Sequence, residues 1–382
     1  MGAGRGGQTG SVQLPPAPAR SFASDNFAGA HPAVLDAVAR ANHGHAAAYG
    51  EDRWTRECEE RFRGLFGADV TTLLTFNGTG ANVLALASLL PPAGAVICTE
   101  WAHIAVDEAG GPERILGAKL IDLPAVGAKL TPEHVIGQAH LIGNPHHAQP
   151  AVVSITQSTE LGTVYTVDEV AALCDTAHSL GMSVHMDGAR IANATAALGG
   201  GIATLRALTI DAGVDVVSFG GTKNGLLAGE AVVFLRAERA GRAERTERTQ
   251  RTELADRAVY LRKQVTQLSS KMRFVAAQFL ALLEDDLWLR LASHANEMAA
   301  LLHEALVDVP GVELDGPPPV NSLFPVLPRA LIEPLRDWCF FWDWDVARHQ
   351  VRWMTAWDTM PEDVDVFASG VRAATEAFAS KN

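Results

Sequence analysis

Val214-Asp-Val-Val-Ser-Phe-Gly-Gly-Thr-Lys-Asn-Gly225 begins as a short apolar strand and ends as a glycine-rich turn with a lysine inside it. The change of character falls just after Phe219. A surface lysine needs no such company, whereas a lysine that must meet a carbonyl carbon close to the backbone does. The plain alternative is a lysine in an ordinary turn. If the strand is real, Lys223 stands at its carboxyl end, where open α/β sheets gather their ligands.

Outward from this stretch the same alternation repeats. Thr71–Phe76, Ala95–Cys98, Val152–Thr156, Ser183–Met186 and Glu230–Leu235 read as further short strands. Between them, Ala81–Leu90 and Val167–Leu180 carry apolar residues at helical spacing, the first stopped by Pro91-Pro92 and the second followed by Gly181. Strand and helix in repetition predict an α/β fold, a mainly parallel sheet with helices on both faces.

The chain has 382 residues, too many for one ordinary core. Residues 21–285 are expected to form a large domain and 286–382 a smaller C-terminal α+β domain, with a helix at Ala300–Leu306 and a strand at Gly311–Leu314. Residues 1–20, rich in Gly and Pro, read as a disordered tail without the apolar stretch of a signal peptide. From Arg236 to Arg262, Arg, Glu and Thr alternate with no apolar stripe before Leu254, which predicts a solvated helix with ion pairs along it.

The net charge of −13, without a basic cluster, argues against nucleic acid and anionic membrane surfaces as partners. Cys58, Cys98, Cys174 and Cys339 are too scattered for a disulfide framework or zinc site, so a reducing, cytoplasmic setting and no metal are expected. No apolar run is long enough to span a bilayer.

Three further features fall at predicted strand ends. Asn77-Gly-Thr-Gly80 precedes a helix, so its backbone N–H groups and the Thr79 hydroxyl suit an anion. In His185-Met-Asp-Gly-Ala-Arg190 the acid ending a buried strand needs a partner: either Arg190, or a protonated ring nitrogen such as that of pyridoxal phosphate (PLP). Trp101-Ala-His103 offers rings that could lie against a flat cofactor, or a base near it. No Walker lysine motif or Rossmann glycine pattern competes for the phosphate loop. In order the chain reads phosphate loop, histidine, aspartate, lysine, which favours PLP.

Phe22–Asn26, Ala48–Asp52, Phe76–Asn82, Met186–Arg190, Phe219–Gly225 and Ser270–Arg273 together resemble the L-threonine aldolases, above all the bacterial low-specificity branch of these fold-type-I PLP enzymes. The likeness runs from Ser21 to about Ala379. It implies retro-aldol cleavage of L-threonine, L-allo-threonine and other β-hydroxy amino acids to glycine and an aldehyde, in a homotetramer or at least a dimer. It also implies roles. Lys223 would carry PLP, Asp187 would pair with its ring nitrogen, and His103 would stack on the ring. Gly78 and Thr79 would bind phosphate, with Arg273 reaching in from a neighbouring subunit, and Thr222 would also contact the cofactor. Arg190 would lie near the phenolic oxygen, Ser24 and Arg352 would hold the substrate carboxylate, and Tyr49 would lie at the mouth. Many relatives carry a second active-site histidine where this chain has Glu160, in Ser158-Thr-Glu-Leu-Gly162. The base for the β-hydroxyl proton therefore stays open among His103, Glu160 and water. Another reaction of the same fold (β-elimination, transamination or racemisation) and a non-catalytic binding protein are the rival readings.

Overall fold

The computed structural model describes residues 14–67, 70–235 and 244–380. The short apolar runs become strands: β1 Thr71–Thr75, β2 Gly94–Thr99, β3 Lys119–Leu123, β4 Gln149–Thr156, β5 Ser183–Gly188, β6 Val216–Gly220 and β7 Glu230–Phe234. They form one sheet in the order β1-β7-β6-β5-β4-β2-β3. Pairs from β3 to β6 are parallel, while β7 is antiparallel to both of its neighbours. The short link between β6 and β7 explains this, since a parallel return needs a crossover of a dozen residues or more. As a result the first residue of β7, Glu230, arrives at the same sheet edge as the last residue of β6. β3 has no counterpart among the expected strands. It is an edge strand, and its partly exposed Lys119-Leu-Ile-Asp-Leu123 lacks a continuous apolar run.

Helices cover both faces. On one, Arg53–Phe66, Val167–Ser179 and Arg273–Leu282 bury Phe62, Leu173 and Phe279. On the other, Gly78–Leu89 lies under Glu244–Gln264 and is buried along most of its length. The sequence expectation of a fully solvated helix fails here. Leu254, Ala255, Ala258 and Leu261 recur at helical spacing and pack into this second core. Residues 236–243 lie outside the described residues.

The C-terminal part has its own core, with Trp353, Phe367 and Phe341 at its centre. It combines helices Leu287–Leu306, Arg329–Trp338 and Pro361–Ala379 with three antiparallel strands, β8 Ser322–Leu323, β9 Trp342–Asp345 and β10 Gln350–Met354. The helix expected at Ala300–Leu306 is the end of a longer one. The strand expected at Gly311–Leu314 does not form: Glu313 makes a single bridge to Val326, between a left-handed Gly311 (φ 85°) and Pro317-Pro-Pro319.

The expected tail divides. Residues 1–13 lie outside the described residues, but the segment from Leu14 is tied to the C-terminal core. Trp338 Nε1 donates to the Pro15 carbonyl at 2.7 Å, and Arg20 pairs with Asp363 at 3.0 Å. The chain then runs beside β10, where Met354 N donates to the Phe22 carbonyl at 2.8 Å, and so reaches the edge of the large sheet.

Candidate active site

The carboxyl ends of β1, β4, β5 and β6 open into a cavity of about 270 Å³ lined by Gly78, Thr79, His103, Glu160, Asp187, Arg190, Thr222 and Lys223. Asn26, Asn82 and Glu230 complete the wall. Lys223 is held from both sides. Before it, the Phe219 ring packs against Phe62, Phe66, Phe279 and Trp288 with centroids 5.6–6.4 Å apart. After it, Asn224 Nδ2 donates to the Trp288 carbonyl at 2.7 Å, and His31 N donates to the Gly225 carbonyl at 2.8 Å. The glycines before the lysine are required by packing. A Cβ on Gly220 would overlap Ala189, and one on Gly221 would meet the Gly229 carbonyl at 2.6 Å. Burial makes the Lys223 ammonium easier to deprotonate, and the Arg190 cation adds to this.

Asp187 does not pair with Arg190. It ends β5, where its Oδ1 accepts from Ala189 N at 3.0 Å and its Oδ2 from Asn82 Nδ2 at 2.8 Å. Arg190 turns instead to Asp25, bonding through Nε at 2.6 Å and Nη2 at 2.9 Å. Burial raises the Asp187 pKa most strongly, but His103, His185, Lys223 and the Ala189 hydrogen bond together outweigh it and hold the acid below its usual range. A carboxylate kept ionised at this depth can face a cationic ring nitrogen.

His103 opens a short helix after β2, and its Nδ1 lies 2.8 Å from Glu108 Oε1. That hydrogen bond raises the His103 pKa against the effect of burial. Asn82 Nδ2 donates to the same Glu108 oxygen at 3.0 Å, so a continuous polar chain runs His103–Glu108–Asn82–Asp187. Glu160 follows β4. Its Oε1 accepts from His103 N at 2.9 Å and Thr156 Oγ1 at 2.8 Å, while its Oε2 is buried with no protein partner. Burial pushes this carboxyl up to about 7. At the phosphate-loop candidate, Asn77 Oδ1 caps the helix through Gly80 N at 2.7 Å, leaving the first N–H groups of Gly78–Leu89 without helical partners.

Ser24 and Arg352 lie just beyond the cavity wall. Ser24 Oγ accepts from Asn26 N at 3.2 Å. Arg352, on β10, donates to the Ala23 carbonyl at 3.3 Å and lies 5.1 Å above the Trp344 ring. Its Nε is buried without a partner, and burial lowers its pKa to about 10. Tyr49 and Arg273 stand apart. Tyr49 is half exposed, with Lys263 Nζ 5.0 Å from its ring, and Arg273 donates to the Gly44 carbonyl at 3.2 Å beside Phe274 and Trp54.

With the geometry in hand, comparison with known proteins is decisive. The β-eliminating lyase family model matches residues 21–326. A low specificity L-threonine aldolase of a Pseudomonas species is 42% identical over 361 residues, covering 94% of this chain and 99% of that protein. The namesake of Pseudomonas aeruginosa is 43% identical, covering 92% and 97%. The chain belongs to the low-specificity L-threonine aldolase family. A solved structure of Leishmania major threonine aldolase superposes with a TM-score of 0.81 at 29% identity, covering 93% of this chain and 98% of that one. The fold is accordingly the fold-type-I architecture of the threonine aldolases.

Two cavity residues, Asn82 and Glu230, and two that bond the cavity wall from behind, Asp25 and Glu108, escaped the sequence reading of this threonine aldolase family member. Asp25 and Asn82 sit inside the motifs Phe22–Asn26 and Phe76–Asn82, which was the available signal. Glu108 lies five residues after His103 with no motif around it, and Glu230 reads only as the start of a strand. Among the described residues no group of three or more His, Cys, Asp or Glu is placed to hold a metal, and no helix is long and apolar enough to cross a membrane.

Proposed function

We propose that the chain is a PLP-dependent low-specificity L-threonine aldolase that cleaves L-threonine, L-allo-threonine and other β-hydroxy-α-amino acids, phenylserine among them, reversibly to glycine and an aldehyde. The observation that carries this reading is one cavity combining a buried lysine, Lys223, an ionised acid at depth, Asp187, and a carboxyl with a free buried oxygen, Glu160 Oε2. The residues fit the cofactor. Lys223 would hold it covalently and Asp187 would face its ring nitrogen. The helix start at Gly78 and Thr79 would take its phosphate, and Thr222 would line the cofactor's pocket beside the lysine. His103 is assigned to the ring face and Arg190 to the phenolic oxygen. PLP bound there supplies the electron sink into which a bond at Cα can break.

The chain's own residues do the rest. Arg352 and Ser24 bind the substrate carboxylate; a guanidinium whose Nε lacks a protein partner suits two parallel bonds to such an anion. Fixing that group orients the Cα–Cβ bond for cleavage. Glu160 takes the β-hydroxyl proton at Oε2, since its Oε1 is already committed to two donors. His103, with Nδ1 engaged by Glu108, keeps Nε2 for the ligand. Tyr49 and Arg273 serve a second copy of the chain in a dimer or homotetramer, where Arg273 reaches the neighbour's phosphate; their placement off their own chain's cavity supports this. The four buried, free cysteines support a cytoplasmic setting.

The test is aldehyde release from L-threonine, L-allo-threonine and phenylserine. Aldehyde and glycine in equal amounts are expected. Keto acid or ammonia without aldehyde would assign the site to another reaction of the same fold.

A further inference from the structure

Glu230 is a buried acid for which the reaction described above has no use. It lines the cavity although its strand runs against the others, because β7 enters at the edge where β6 leaves. Its Oε2 accepts from Gly221 N at 2.7 Å, and its carboxyl is hydrogen-bonded by the Thr222 side chain. The Thr222 hydroxyl in turn accepts from Gly229 N at 3.1 Å. One side chain thus clasps the two residues that precede Lys223. An apolar residue would leave Gly221 N buried and unpaired, so some acceptor is needed here. A neutral glutamine would satisfy that need, so the placement of a charge is the feature to explain.

The other charged groups around Lys223 are already engaged. Asp25 is paired with Arg190, and Asp187 with Asn82 and a backbone N–H. His103 is bonded to Glu108. Both aspartates are held below their usual range, whereas burial pushes Glu230 up to about 7, and Glu230 and Lys223 lie within electrostatic reach of one another.

We propose that Glu230 is a positioning residue for Lys223 that holds the lysine's turn and places a negative charge beside it. The carboxylate clasps Gly221 and Thr222, and its charge favours the protonated form of the lysine nitrogen. This rests on the functional reading above in assigning Lys223 as the cofactor-bearing residue.

The experiment is a spectrophotometric pH titration of the cofactor–lysine linkage in full-length holoenzyme, for the wild type, Glu230→Gln and Glu230→Asp. It is paired with the pH dependence of cofactor re-addition to the stripped full-length chain. Glu230→Gln keeps an acceptor for Gly221 N but loses the charge. Its titration and its re-addition profile should both move to lower pH, by about 1 unit, because a nearby negative charge favours the protonated lysine nitrogen. Glu230→Asp keeps the charge and should stay near the wild-type midpoint even where its affinity for the cofactor falls. Superposable profiles for wild type and Glu230→Gln would reduce Glu230 to a structural clasp. An equal shift in both variants would show that geometry rather than charge is responsible, and would also overturn the proposal. Aldehyde release is measured alongside. If the titrations separate as expected while no variant and no wild type releases aldehyde, the aldolase reading fails and the assignment of Glu230 stands.

Discussion

Around Lys223 each flanking residue is fixed by the same chain: Phe219 by four aromatic rings, Asn224 by the Trp288 carbonyl, Gly225 by His31. Around Arg273 that chain supplies one carbonyl, from Gly44, and the faces of Phe274 and Trp54; nearby Tyr49 is half exposed in a left-handed conformation (φ 62°). The first region is a finished site, preorganised so that little reorders when a ligand arrives. The second leaves an arginine and a tyrosine outside the cavity of their own chain. On the proposed function, covalent and proton chemistry stays within one chain, and part of the anion binding falls to a copy of it.

That contrast can be attacked from either side. Lys223→Ala should have the largest effect, a loss of aldehyde release of roughly four orders of magnitude, measured with excess cofactor; near-wild-type turnover would remove the lysine from the mechanism. Glu160→Gln should follow with a loss of about 10²–10³. Its pH profile carries a second readout. Glu160 must be ionised to accept a proton and burial places it at about 7, so wild-type activity should rise with pH through that value. The glutamine variant should lack this limb, and a retained limb would transfer the proton to another group, His103 first. Arg352→Lys should raise KM for threonine roughly tenfold with a smaller change in kcat, because a point charge replaces a fork; an unchanged KM would free Arg352 of the carboxylate. The smallest effect is expected for Arg273→Ala, a cofactor held about tenfold less tightly. Here the sharper measurement is complementation. Mixed assemblies of Lys223→Ala and Arg273→Ala chains should bind cofactor better than Arg273→Ala alone, whereas strictly additive behaviour would make every site self-contained.

The fold was legible because buried parallel strands leave short apolar runs, and because Pro91-Pro92 and Gly181 punctuate the helices between them. β3 was missed as a half-exposed edge, and the helix Glu244–Gln264 hid its packing face in alanines, which carry little hydropathy. The site was legible where function and chain direction coincide, at strand ends followed by glycine: Gly78, Asp187, Lys223. It was not legible where partners come from far away. Asp187 and Arg190 look like a local pair, yet Ala189 N folds back onto the acid while Arg190 reaches Asp25, 165 residues distant. Nothing in the neighbourhood of Glu108 or Glu230 announces a polar network, because the atoms they bond are brought to them only by the sheet.

The N-terminal strap has a consequence for the order in which the molecule is made. Phe22, Ala23 and Asp25 leave the ribosome well before their partners Met354, Arg352 and Arg190. At the usual pace of about 5–20 residues per second, the strap waits tens of seconds for β10 to be synthesised. The large sheet can assemble during that interval with Lys223 already on its turn, while the arginine assigned to the substrate does not yet exist. A nascent chain therefore passes through a stage at which Lys223 and Asp187 are in place but the arginine assigned to the substrate is not, and the strap can dock only once β10 has been made.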